Sequence, residues 1–198
     1  MLTSKLLIAS LLGGAVLFIW GALSHMVLGL GEASIKPIPN ERAVLTAMQD
    51  NIREPGFYFF PGMESSPNMT KEDQEAAMKR WEEKYSVGPY GILIYHPDGT
   101  QPLSPKQLLI ELLSDILAAF LAAFLLARAL GGLSGFGGRV LFVTLLGLFA
   151  WMAIEIAYWN WYGFPFGYAF SSLIDQIVGF FLVGLVLATM IKKAQPVS

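Results

Sequence analysis

Cysteine is absent from the 198-residue chain, and histidine occurs only twice, at His25 and His96. The first absence excludes disulfides, thiolate metal sites, cysteine nucleophiles and cysteine-ligated iron–sulfur or haem centres. The second leaves bis-histidine haem dependent on both residues, and the polar loop around His96 argues against that pairing. Charge is scarce as well: 13 basic and 15 acidic residues give a formal net charge of −2, with no basic stripe. Neutralising phosphates takes clustered Lys and Arg, so no nucleic-acid partner is expected. HExxH, the Glu-x-x-His pair of di-iron bundles, GxSxG and the Walker A loop are all missing. Ser24 beside His25 is no catalytic dyad, because adjacent residues diverge on a helix. These absences weigh against an enzyme.

What the chain has instead is apolar length. Hydrophobic residues make up 55% of it, above the level of an ordinary soluble domain. Four runs stand out: 6–30, 107–130, 140–162 and 168–191. Each is long enough to cross a hydrocarbon core as a helix. Together they hold only Glu111, Asp115, Arg128, Glu155 and Asp175 as charges. The first run follows Lys5 as a signal peptide would, but a signal h-region is about 7–15 residues, so its length predicts a retained span. The expected fold class is an all-α integral membrane protein: a four-helix transmembrane bundle with a small α/β extracytoplasmic domain, residues 31–103, inserted between helices one and two.

Lys5, Arg128, Arg139, Lys192 and Lys193 all flank the runs on one side of a four-span threading. Short basic flanks resist translocation, which predicts a multi-pass protein of the plasma (inner) membrane with both termini cytoplasmic. The glycine-rich hairpin 131–138 should share that side, as a tight helix-to-helix turn.

The 31–103 segment carries eleven acids and seven bases. Asn40 is placed to cap a helix reaching about Ile52, with Val44, Met48 and Ile52 on one face. A second helix is expected after Thr70, with a Lys71–Glu75–Lys79–Glu83 ladder outside and Ala77, Trp81 and Tyr85 as its apolar edge. Phe57–Phe60 and Ile92–Tyr95 are candidate strands. Ser104-Pro105-Lys106-Gln107 has an N-cap serine, proline at N1 and glutamine at N3, a strong helix start. The aromatic run 158–168 suits an interfacial belt.

Ionisable groups at membrane depth are costly and usually face the bundle interior or a wet cavity. Counted from the outer ends of the runs at 1.5 Å per residue, His25, Glu111, Asp115, Glu155 and Asp175 lie about 6–12 Å deep, one or more on every helix. Gln107, Glu111 and Asp115 follow i, i+4, i+8; Ser171 with Asp175 and Ser172 with Gln176 repeat the spacing; Glu155 shares a side with Tyr158 and Tyr162. Gly14, Gly21, His25 and Gly29 share a face of helix one, where small residues admit close packing. The ion- or proton-binding candidates are therefore His25, Glu111, Asp115, Glu155 and Asp175, supported by Gln107, Tyr158, Ser171 and Gln176. Such oxygen and nitrogen ligands suit a divalent metal such as Mn, Fe or Zn, though the cofactor itself is unknown. Protonated acids acting only as interhelical glue are the plain alternative.

Three functional readings follow. The small size, the lack of transporter-like repeats and the missing motifs favour a non-catalytic accessory or structural subunit of a larger membrane complex. The others are a cation- or proton-binding or translocating protein using the polar cluster, and a membrane metalloenzyme. Besides the lipid bilayer, the expected partner is a membrane protein or further copies of this chain.

Overall fold

The computed structural model describes residues 2–32 and 34–192; Lys193, one of the five flanking cations, lies outside the described residues. Helix dominates, and among the described residues four helical stretches are long and apolar enough to cross a membrane: Ser4–Val27, Pro105–Ala129, Gly135–Tyr162 and Phe166–Met190. In chain order, α1 (Leu2–Ala22) runs into a π-helical turn (Leu23–Val27) and a 3-10 turn (Leu30–Glu32). Then come α2 (Glu41–Asn51), β1 (Gly56–Phe60), α3 (Lys71–Val87), β2 (Gly91–Tyr95), α4 (Pro105–Ala129), α5 (Gly135–Tyr162) and α6 (Phe166–Met190). Two compact units result: the chain up to Ile35 together with everything from Gln101 onward, and Lys36–Thr100.

The long helices form a row in the order α4–α1–α6–α5, with α4 and α5 barely touching. Glycines set the closest approaches. A Cβ on Gly14 would stand 2.5 Å from the Ile116 Cα of α4, and one on Gly147 of α5 would stand 2.6 Å from the Gln176 carbonyl of α6. Without side chains there, the backbones meet directly and dispersion contacts accumulate along the seams. The glycine face expected on α1 is used only at its start. Gly21, still within α1, has open space around it, as does Gly29 beyond the π-helical turn, where φ is 65°. Ala9, Ala119, Ala122, Ala123, Leu126, Val143, Val183 and Leu187 make a core nearer the α4–α5 hairpin than the opposite end. Indole donors tie the seams: Trp20 Nε1 gives a hydrogen bond to the Asp175 carbonyl at 3.1 Å, and Trp151 Nε1 to the Ala169 carbonyl at 2.7 Å.

Helix starts mostly follow local chemistry. Ser104 caps α4, its hydroxyl accepting from the Gln107 N–H while the Gln107 side chain accepts from the Ser104 N–H at 2.9 Å. α5 begins at Gly135, before the apolar run starting at Val140. Run edges mark composition, whereas backbone hydrogen bonding carries the helix on into Gly137 and Gly138. Asn40 precedes α2 as expected but in a left-handed conformation, φ 52°, and its side chain makes no cap bond.

In the Lys36–Thr100 unit, β1 and β2 pair antiparallel from Gly56↔Tyr95 to Phe60↔Gly91. Two strands alone are marginal, so α3 must support them. It does so through its predicted edge: Ala77 is buried, Trp81 Nε1 donates to the Pro61 carbonyl at 2.9 Å, and Tyr85 stacks with Phe59 and Tyr90. Among the described residues the ion pairs of α3 are not the lysine–glutamate ladder. Arg80 and Lys84 instead reach Glu64, Arg80 at 2.8 Å, because a partner outside the helix lets one carboxylate serve two cations. At the start of α3 the Asp73 carboxylate accepts from both the hydroxyl and the N–H of Thr70, and the Thr70 hydroxyl accepts from the Asp73 N–H.

These contacts give the unit a pH response. The Thr70 hydroxyl, then its N–H, hold the Asp73 carboxyl below its ordinary range, and the Arg80 hydrogen bond, then its charge, do the same for Glu64. A depressed folded value means stabilisation that is full above the unfolded value and lost as pH falls through the folded one. Hydrogen exchange, corrected for its intrinsic rate, is expected to show constant protection of α3 from pH 7 to about 5 and a fall below about pH 4. Protection unchanged at about pH 3 would contradict the assignment.

Candidate functional site

The π-helical turn is closed by the Leu28 N–H on the Leu23 carbonyl at 3.0 Å, and it carries His25. Its Nε2 stands 3.6 Å from Asp175 Oδ2 of α6, an ion-pair distance beyond ordinary hydrogen-bond reach. The other ring nitrogen, Nδ1, lies hard against Gly31 of the 3-10 turn, where a Cβ would overlap it. The ring is thus held between a glycine and a carboxylate. His25's side chain is 55% exposed and Asp175's 22%, so the pair opens on its imidazole side and closes on its carboxylate side.

Beside the pair is a cavity of about 90 Å³, lined by His25, Leu30, Gly31, Tyr168, Ser171, Ser172 and Asp175. It has room for several water molecules. The Ser171 hydroxyl donates to the Gly167 carbonyl at 2.9 Å, leaving its oxygen as an acceptor. Among the described residues Asp175 Oδ1 is buried with no hydrogen-bond partner, as is Glu155 Oε2. A buried acceptor left unmet carries its full desolvation cost, so each such atom calls for an explanation.

The remaining acids extend along the row. Asp115 on α4 is half-buried, with Glu111 and Asp175 as its charged neighbours, while Glu111 is exposed. Glu155 on α5 neighbours Tyr168, which lines the cavity, and Tyr158 neighbours the same phenol. The structure therefore brings His25 and Asp175 together, sets Asp115 next to them, and strings Glu111 and Glu155 out at the two ends. Among the described residues no three of His, Asp and Glu gather as a metal-ligand set. A row of four helices spreads side chains that a closed square would converge.

The supporting residues divide. Ser171 lines the cavity. Gln107 is spent on the cap of α4. Tyr158 stacks on Phe164, with ring centroids 5.2 Å apart, in an aromatic cluster. At Gln176 it is the backbone carbonyl that packs, against Gly147. Three contributors were missed, Gly31, Trp20 and Tyr168, while Ser172, one of the spaced serines, lines the cavity too. Tyr168 lay inside the belt-like aromatic run, and nothing local distinguishes Gly31 or Trp20 as site residues.

Chemically, two carboxylates, Asp175 and Asp115, near one imidazole make a field that favours one added positive charge, strengthened where water is scarce. The core from Ala119 to Leu126 and from Val183 to Leu187 continues away from the pair as packed hydrocarbon. The chain matches no family model, no curated protein and no solved structure, and the site stands on its own residues.

Proposed function

We propose that this chain is a multi-pass protein of a plasma membrane, crossing it four times with the hairpin and both termini in the cytoplasm and residues 36–100 outside. Its His25–Asp175 pair, with Asp115, holds one positive charge, a proton or a small cation, reached from the outer side. The observation that carries this reading is the Asp175 carboxylate: Oδ2 faces His25, Oδ1 is buried without a partner among the described residues, and the side chain lies beside the cavity. The threading is supported by the four apolar helices and by Lys5, Arg128, Arg139 and Lys192 at one end. The role is binding, since the apolar core between the pair and the hairpin end offers a proton no stepping stones.

The test is thermal unfolding of the detergent-solubilised full chain against pH and against Na⁺, K⁺, Mg²⁺, Ca²⁺ and Mn²⁺ at constant ionic strength. A saturable stabilisation on the order of 2–3 kcal/mol is expected at about 100 Kd of the bound ion. Asp175→Asn should abolish it and Asp115→Asn weaken it. A midpoint indifferent to every cation and to pH, in wild type and variants alike, would reduce the acids to interhelical glue.

A second reading, an accessory subunit of a larger complex, is favoured by apolar exposure on the Lys36–Thr100 unit: Val87 is 87% exposed and Ile94 66%. Exposed apolar surface on an otherwise charged unit marks a contact surface. That reading expects a stoichiometric protein partner after mild solubilisation.

A further inference from the structure

The cavity beside the His25–Asp175 pair has two walls of different build. One is α6, which lends Tyr168, Ser171, Ser172 and Asp175 from within a regular helix. The other is the 3-10 turn Leu30–Glu32, which lends Leu30 and Gly31 and sets Gly31 against the His25 ring. This turn packs on α6 and on the π-helical turn.

The second wall is loosely held. The turn's own hydrogen bonds are local: the Glu32 N–H donates to the Gly29 carbonyl at 3.2 Å and the Ile35 N–H to the Glu32 carbonyl at 3.0 Å. Among the described residues no hydrogen bond joins the turn to α6. It rests there on van der Waals contact, which is weak for each atom pair and has no fixed direction. Ser34 marks where the segment is seated, against Gly167 in the first turn of α6. A Cβ on Gly167 would stand 2.5 Å from the Ser34 Oγ, and Ser34 alone supplies atoms within 4 Å of it. At the other end of the turn, Gly29 has φ 65°, a left-handed conformation that costs glycine nothing, and open space where a side chain would be. A segment bonded only within itself swings without breaking a hydrogen bond to its support, and a glycine at its end absorbs the backbone rotation.

We infer that the turn Leu30–Glu32 is a gate on the charge site: seated on α6 it closes the cavity, and swinging about Gly29 it admits and releases a bound metal cation. The inference rests on the charge-binding reading above. A proton needs no gate, because the His25 side chain is 55% exposed with the turn seated. A metal cation has to reach the carboxylate, whose Oδ1 is buried. The gate therefore governs ions and leaves protons free to come and go.

Two measurements test it. The first locks the gate. In a chain without cysteine, Ser34→Cys combined with Gly167→Cys allows a single disulfide. The Ser34 Cβ lies 3.9 Å from the Cβ position at 167, inside the range of about 3.5–4.5 Å that such a bond takes. Oxidised in cation-free buffer, the full chain in detergent should show a thermal midpoint indifferent to Na⁺, K⁺, Mg²⁺, Ca²⁺ and Mn²⁺, and dithiothreitol should restore the wild-type response. The same response in both redox states overturns the gate. The second measurement needs no bound ion, so it alone decides where the wild type answers to pH only. Ser172→Cys puts a thiol on the cavity wall, and 2-aminoethyl methanethiosulfonate, a small cation, labels it at a rate set by access. Adding Gly167→Leu, whose Cβ meets Ser34 and nothing else within 4 Å, should unseat the turn and raise that rate about tenfold. Equal rates with and without the leucine overturn the gate. Failure of the charge-binding reading is a separate result: a wild-type chain that answers to neither cation nor pH, whatever the labelling rates.

Discussion

Replacing Gly14 by leucine is expected to dismantle the packing of the long helices. The added Cβ would stand 2.5 Å from the Ile116 Cα and 2.7 Å from its N, so the obstacle is backbone and no rotamer change relieves it. Overpacking in a core costs about 1–3 kcal/mol even where side chains can shift. That is a large share of the roughly 5–15 kcal/mol that holds a domain together. Position magnifies the effect, since α1 lies between α4 and α6 and cannot move from one without disturbing the other. The unfolding midpoint of the solubilised chain should fall by roughly 5–10 °C or more, with loss of a monodisperse peak in gel filtration. Gly21→Leu is the matched control: the same residue change on the same helix, with nothing within 4 Å of the new Cβ. It should leave the midpoint in place. Similar losses in both variants, against the gain in helix propensity that leucine brings, would mean that the α1–α4 approach does not set the outcome.

Replacing Gly31 by alanine should do the reverse, sparing the fold and removing the charge site. The methyl group would overlap His25 Nδ1. Here the obstacle is a side chain 55% exposed and free to turn outward. Relief is therefore cheap, and it takes Nε2 away from Asp175. The expected result is a thermal midpoint in cation-free buffer close to wild type, together with complete loss of the cation- or proton-dependent stabilisation. Retained stabilisation in this variant would show that Asp175 and Asp115 hold the charge without the imidazole.

Much of this architecture could be read from residue order. Helical period, run length and the Ser104–Gln107 box located the four long helices, and the Trp81 and Tyr85 edge of α3 was visible in its spacing. The strands Gly56–Phe60 and Gly91–Tyr95 were readable as short aromatic and β-branched runs between turn residues. Less legible was how the helices meet. Period tells which residues share a face but not whether four faces close on a point or pass along a line, which is why Glu155 and Glu111 sit at the ends of the polar row. The π-helical turn at Leu23–Val27 was also hidden, since nothing in Leu-Ser-His-Met-Val distinguishes five-residue from four-residue hydrogen bonding. That one local change decides where His25 points.

The row α4–α1–α6–α5 also bears on how the molecule is made. Synthesis delivers α1 first and α6 last, yet these two occupy the middle and share the seam. α4 can join α1 once it emerges, and α5 then waits for α6, since α5 has hardly any surface on α4. The two halves are docked only by α6, which is also the helix that brings Asp175 to His25. Until α6 has been made, His25 and Asp115 have no Asp175 beside them. Formation of the charged pair thus waits for α6, and a nascent protein cut short before Phe166 would lack both its central seam and its site.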